Sequence, residues 1–106
     1  MNIIVQKYGG SSLKDKECLE TVCENIIKTK ENIDSLVVIV SAQGNTTNEL
    51  ISKAEEYTDL DSYSIDKKDL DFLLSTGEMQ TAALLSLMLN SKGYDSVSLN
   101  GAQAGI

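Results

Sequence analysis

Apolar residues change their spacing several times along the chain, and each change marks an element. A short run, Ile3-Ile4-Val5, is followed by Leu19, Val22, Cys23, Ile26 and Ile27 at the spacing of one helix face, with Glu17, Glu20, Glu24 and Lys28 turned outward. Asp15 is placed to cap that helix. The run Leu36-Val37-Val38-Ile39-Val40 is continuously apolar and largely β-branched, which predicts a strand covered on both faces. Together with Ile3 to Gln6 it predicts a βαβ unit, two parallel strands joined by a right-handed helical crossover.

Leu50, Ile51 and Ala54 define one face of a second helix, with Thr46 or Thr47 as its cap. Leu70, Leu73 and Leu74 predict a short helix that breaks at Ser75-Thr76-Gly77-Glu78. From there Ala82, Leu84, Leu85, Met88 and Leu89 predict a strongly apolar helix that starts at Glu78 and ends with Gly93 at its C′ position. Val97-Ser98-Leu99 predicts a third strand and Asn100-Gly101 a turn. Strands alternating with helices make this an α/β fold.

Two polar loops leave the carboxyl ends of the first two strands, the edge where open α/β sheets place their ligands. The first is Lys7-Tyr8-Gly9-Gly10-Ser11-Ser12. Adjacent glycines let the backbone approach an anion and take positive φ, and turn N–H groups can point at phosphate oxygens while Lys7 adds a compact positive charge. An exposed lysine beside an ordinary tight turn has the same local sequence. The stretch is not a Walker A loop, where the lysine follows the last glycine and precedes Ser or Thr. The second loop is Ser41-Ala42-Gln43-Gly44-Asn45-Thr46-Thr47-Asn48. Its threonines suit helix capping as well as ligand contact, and Glu78 suits the positive end of a helix dipole as well as a ligand.

Composition narrows the partners. The 106 residues amount to one domain, and 42% hydrophobic with 24% charged residues is the balance of a globular chain. A formal charge of −7 disfavours nucleic acid and anionic membrane, which need basic surface. An anionic substrate then requires a local cation, and Lys7 leads. No apolar run approaches the ~20 residues of a membrane span and Ile3 to Val5 is too short for a signal core, so a cytoplasmic location is expected. Cys18 and Cys23 are expected as small buried or half-buried residues in a reducing compartment, without a redox or metal role. Asp59, Asp61 and Asp66 lack the glycine and final glutamate of a calcium loop and read as solvated surface. No histidine is present, which removes Ser-His catalysis.

Read together, four segments become specific. They are Lys7-Tyr8-Gly9-Gly10-Ser11-Ser12; Val40-Ser41-Ala42-x-Gly44-x-Thr46-Thr47-x-Glu49-Leu50; Leu74-Ser75-Thr76-Gly77-Glu78; and Asn100-Gly101-x-Gln103-Ala104-Gly105-Ile106. In this order and spacing the chain resembles the amino-terminal part of the aspartate kinases over its whole length. Gln43, at a position often Met or Ser, and Ala102, at one often aromatic, depart from the usual pattern.

The resemblance implies the amino-acid-kinase fold, a three-layer α/β/α sandwich around a mainly parallel sheet, here incomplete. It implies transfer of the ATP γ-phosphate to the side-chain carboxylate of L-aspartate, with Mg²⁺ carried by the nucleotide, in a homo-oligomeric cytoplasmic enzyme of amino-acid biosynthesis. By motif match Lys7, Tyr8, Gly9 and Gly10 take the ATP-phosphate role, Lys7 being the catalytic cation, and Thr47 and Glu78 take the aspartate-binding role. No residue is expected to hold a metal directly. On this reading residues 1–106 are the amino-terminal portion of the kinase domain. The nucleotide-binding remainder, an arginine for the substrate α-carboxylate and the ACT regulatory domains are expected outside it, and the 106 residues alone are expected to be inactive. Two alternatives stay open: an amino-acid-kinase relative with a different acceptor, and a non-catalytic association module of the same fold.

Overall fold

The computed structural model describes residues 2–62 and 67–105. Two parallel strands, β1 (Ile3–Tyr8) and β2 (Ser35–Val40), pair in register from Ile3 opposite Ser35 to Tyr8 opposite Val40. Between them a single 3-10 turn, Gly10–Leu13, leads into helix α1 (Lys16–Lys30), so the expected βαβ unit forms. Asp15 caps α1 as the sequence predicts, its carboxylate accepting from the Cys18 N–H at 2.8 Å. Helices α2 (Thr46–Tyr57) and α3 (Lys67–Ser91) complete the order.

The core lies on one face of the sheet. Leu19, Val22, Cys23 and Ile26 of α1 meet Leu85 and Leu89 of α3, and Leu13 of the 3-10 turn closes the cluster at 0% exposure. Tyr8, Leu36, Val38 and Val40 project into it from the strands. On the same side the Tyr8 hydroxyl donates to the Gln6 side-chain oxygen at 3.0 Å, and the Gln6 amide donates to the Thr29 hydroxyl at 2.8 Å. These bonds satisfy the polar groups that β1 turns inward.

The opposite face corrects the expectation that β2 is covered on both sides. Ile3, Val5, Val37 and Ile39 point away from the core and are 48–59% exposed. The alternation that sends Val38 inward sends its neighbours outward, and no described element lies over them.

Helix α3 corrects a second expectation. Ser75-Thr76-Gly77-Glu78 does not break the chain; the helix runs unbroken for 25 residues. The Ser75 and Thr76 hydroxyls donate to the Phe72 and Leu73 carbonyls, each at 2.7 Å, so both residues satisfy themselves inside a helix. Glu78 therefore stands at mid-helix and not at a positive helix end. The 25 residues, with a mean hydropathy of 1.3 over the most apolar window, have the length and composition of a bilayer crossing. Here the helix forms one wall of the core through Leu85 and Leu89.

The end of α3 matches the sequence reading. Gly93 has φ 90°, its N–H donates to the Asn90 carbonyl at 3.0 Å, and the Tyr94 N–H donates to the Leu89 carbonyl at 3.0 Å, which is a Schellman cap. The predicted third strand at Val97-Ser98-Leu99 is absent. Asn90 holds Ser96 through both its amide groups, at 2.9 and 3.2 Å, and Val97 and Leu99 stay exposed with no strand beside them. The turn at Asn100-Gly101 forms, with Asn100 and Gln103 exchanging side-chain to backbone hydrogen bonds at 2.8 and 3.0 Å. Asp59 and Asp61 are exposed, while Asp66 and Ile106 lie outside the described residues.

Candidate functional site

The carboxyl ends of β1 and β2 lie side by side, so the loops that leave them touch. Two hydrogen bonds clamp them: the Gly44 N–H donates to the Gly10 carbonyl at 2.9 Å, and the Gln43 amide donates to the Leu13 carbonyl at 2.8 Å. The Gly10–Ser11 peptide is trans, as are all those among the described residues, so turning the Gly10 carbonyl toward Gly44 turns the Ser11 N–H the other way.

The two glycines of the first loop have different reasons to be glycine, and neither is positive φ. A Cβ on Gly10 would lie 3.1 Å from the Ala42 carbonyl oxygen, so this position admits the second loop. A Cβ on Gly9 meets nothing within 4 Å, and its backbone is extended at φ −90° and ψ 172°. Nothing in the fold requires glycine there. A glycine facing open space leaves its backbone approachable by a ligand.

Helix α3 reaches the same point from the other side. A Cβ on Gly77 would stand 2.9 Å from the Ala42 Cβ and 3.2 Å from the Thr46 Cγ2. Ala42 is buried at 5% exposure between Gly10 and Gly77, and through it the three motif segments meet.

The side chains of Lys7, Thr47 and Glu78 are exposed, and among the described residues they make no hydrogen bond or ion pair with one another or with any other group; the contacts at Ala42 are made by Gly10, Thr46 and Gly77, and not by these three side chains. Lys7 extends from the uncovered face of the sheet, two places after Val5. Thr47 sits in the first turn of α2. The expected threonine cap is replaced: Asn45 occupies the cap position without a side-chain cap bond, and its side-chain oxygen accepts from Asn48 at 2.8 Å. That frees the Thr47 hydroxyl from capping. Tyr8 differs from the other three in having its hydroxyl committed to Gln6, with burial pushing its pKa up, so only its backbone faces the glycine loop.

Ala42 and Gln43 form the site without standing out in the sequence. The signal for Ala42 was its small size directly after an apolar strand; Gln43 left none, because a cross-loop amide bond has no local pattern. The Asp15 carboxylate beside Cys18 and burial at Cys23 both push the thiols above their ordinary pKa, which lowers their thiolate fraction. Among the described residues no three Asp, Glu or Cys side chains are grouped to hold a metal. A groove of about 420 Å³ between α1 and α3, lined by Lys16, Leu19, Gln43, Leu84, Met88 and Lys92, lies apart from Lys7 and Glu78.

Comparison with known proteins places this geometry. The amino acid kinase family model matches residues 2–106. The chain is 43% identical over all its residues to an aspartokinase of Bacillus sp. strain MGA3 and 44% to aspartokinase 2 of Bacillus subtilis, spanning 25% of each. It is 39% identical to an aspartokinase of Mycobacterium tuberculosis, spanning 24% of it. The crystal structure of aspartate kinase from Synechocystis superposes with a TM-score of 0.85 at 40% identity, covering 96% of this chain and 17% of that one. The chain thus spans about a quarter of the length of the curated relatives it matches. With the parallel strand pair, the two clamped loops and a family match from end to end, the chain belongs to the amino acid kinase family.

Proposed function

We propose that the full-length protein is an aspartate kinase, transferring the ATP γ-phosphoryl group to the side-chain carboxylate of L-aspartate in the cytoplasm. The observation that supports the reading is the junction at Ala42, where Gly10 of the first loop, Thr46 at the start of α2 and Gly77 of α3 are packed together, each within a few residues of a motif-matched site residue. The relatives at 38–44% identity that carry the name aspartokinase support the same choice of acceptor.

The reaction suits the residues. The nucleophile is a carboxylate of pKa ~3.9, ionised at neutral pH, so no general base is needed and the absence of histidine costs nothing. What remains is positioning and charge neutralisation. Lys7 supplies the cation, and the open backbone at Gly9 with the outward Ser11 N–H supplies room and a donor for phosphate oxygens. Mg²⁺ carried by the nucleotide would supply further neutralisation of phosphate charge, with no residue of this chain assigned to hold it. Glu78 pairs with the substrate ammonium and Thr47 donates to a substrate carboxylate. The substrate α-carboxylate has no arginine available in these residues, since all nine basic residues are lysine. The 106-residue chain alone is therefore predicted to give no turnover.

An aspartyl hydroxamate assay on the full-length protein tests the reading. Lys7→Met is expected to lower kcat by roughly 100-fold or more, as removal of a transition-state charge donor does. Glu78→Gln is expected to raise KM for aspartate by roughly 10- to 100-fold, the value of one charge-assisted hydrogen bond. Glutamate turned over faster than aspartate, or wild-type levels in both variants, would sink it.

A further inference from the structure

We infer that Gly77 is a positioning residue: by letting α3 lie directly on Ala42, it sets the distance of Glu78 from the loop that carries Thr47. This rests on the proposed aspartate kinase reading and adds a residue to it. Gly77 is fully inside a continuous helix, where glycine has no conformational use, and it is buried. Any side chain there would strike Ala42 Cβ at 2.9 Å and Thr46 Cγ2 at 3.2 Å. Ala42 belongs to the second loop and Thr46 opens α2, where it is the immediate neighbour of Thr47. On the helix, Glu78 is the immediate neighbour of Gly77. The close contact is therefore one residue away from the acceptor-binding group on each side, and a shift of the helix by a fraction of an ångström passes straight to the pair.

Ala42 makes the arrangement specific. Its carbonyl oxygen faces Gly10 while its methyl faces Gly77, so it touches the phosphate loop and the helix at once. An enlarged residue 77 moves the helix side of this junction, while the Gly44 to Gly10 and Gln43 to Leu13 hydrogen bonds hold the two loops together. Acceptor binding is expected to suffer and nucleotide binding to be spared.

The test is steady-state kinetics on the full-length protein with Gly77→Ala and with the pair Gly77→Ala, Ala42→Gly, which removes the methyl that the new one would strike. The single variant is expected to raise KM for aspartate by roughly tenfold or more, the scale on which small misplacements act, with KM for ATP within about twofold of wild type. The pair is expected to bring the aspartate KM most of the way back. An aspartate KM unchanged in the single variant, or equal rises for aspartate and ATP, overturns the inference, as does a pair that folds but shows no recovery. Should the single variant fail to fold, the pair decides: an aspartate KM near wild type supports the inference and a raised one defeats it. A wild-type protein that turns over no aspartate defeats the kinase reading instead. In that event melting temperature still reads the contact, lowered in the single variant and restored in the pair.

Discussion

Asp15 and Gly93 fix the two ends of the helical core, and each makes a separable prediction. The Cys18 N–H donates to the Asp15 carboxylate, and this bond holds its pKa below the usual carboxylate range. A carboxylate with a lowered folded pKa contributes stability that is present above its unfolded value of ~3.9 and is lost as pH falls through the folded value. Asp15→Ala is therefore expected to melt below wild type at pH 7, with the gap closing as pH drops under about 4. Asp15→Asn, which caps without ionising, is expected to keep most of the stability and lose this pH dependence. Circular dichroism melts from pH 2 to 7 check both. Gly93 adopts φ 90° with open space where a Cβ would go, so Gly93→Ala carries a backbone cost and no packing cost. That cost is about 1–2 kcal/mol, read as a lower melting temperature or denaturant midpoint at unchanged m-value.

At the scale of elements, α3 is where sequence and structure part most clearly. A glycine in a helix interior costs about 1 kcal/mol against alanine, so Gly77→Ala on helix propensity alone would stabilise the chain. The 2.9 Å approach to Ala42 reverses the sign, since overpacking a tight contact costs roughly 1–3 kcal/mol. The expected net effect is destabilising in the single variant, measurable by urea denaturation. The same glycine explains the misplaced helix break. Ser-Thr-Gly-Glu carries the residues of a turn, and only the loop packed against Gly77 shows that they serve close approach instead. Local signals elsewhere were sufficient: the α1 stripe, the Asp15 cap and the Gly93 cap are legible because each depends on neighbours within a few residues, and the parallel pairing of β1 with β2, 32 residues apart, follows from the handedness rule for a strand-helix-strand unit. The third strand was not. Val97-Ser98-Leu99 has strand composition, but a strand needs a partner beside it, and Asn90 ties Ser96 back to the end of α3. Of the site, the residue types and their loops were legible; that Ala42 joins the three segments was not, because it depends on contacts across some 30 residues of chain.

At the scale of the whole molecule, the radius of gyration of 16.0 Å exceeds the ~13 Å of a compact chain of this size, and one sheet face is bare. Ile3, Val5, Val37 and Ile39 form a contiguous apolar surface on two strands whose outer edges are unpaired among the described residues. The isolated 106-residue chain is expected to bind a hydrophobic dye and to self-associate in light scattering. Two substitutions at adjacent positions separate surface from core, because a strand sends neighbours to opposite faces. Val37→Lys places a charge on the bare face, where side chains outside the core change stability by no more than about 0.5 kcal/mol. It is expected to reduce association and dye binding while leaving the melting temperature nearly unchanged. Val38→Lys turns the same charge into the cluster of Leu19, Val22 and Leu85, where an unpaired ammonium has no partner, and is expected to abolish cooperative melting. Equal effects from the two substitutions would mean that the outer face is covered in solution, and that the association has some other source.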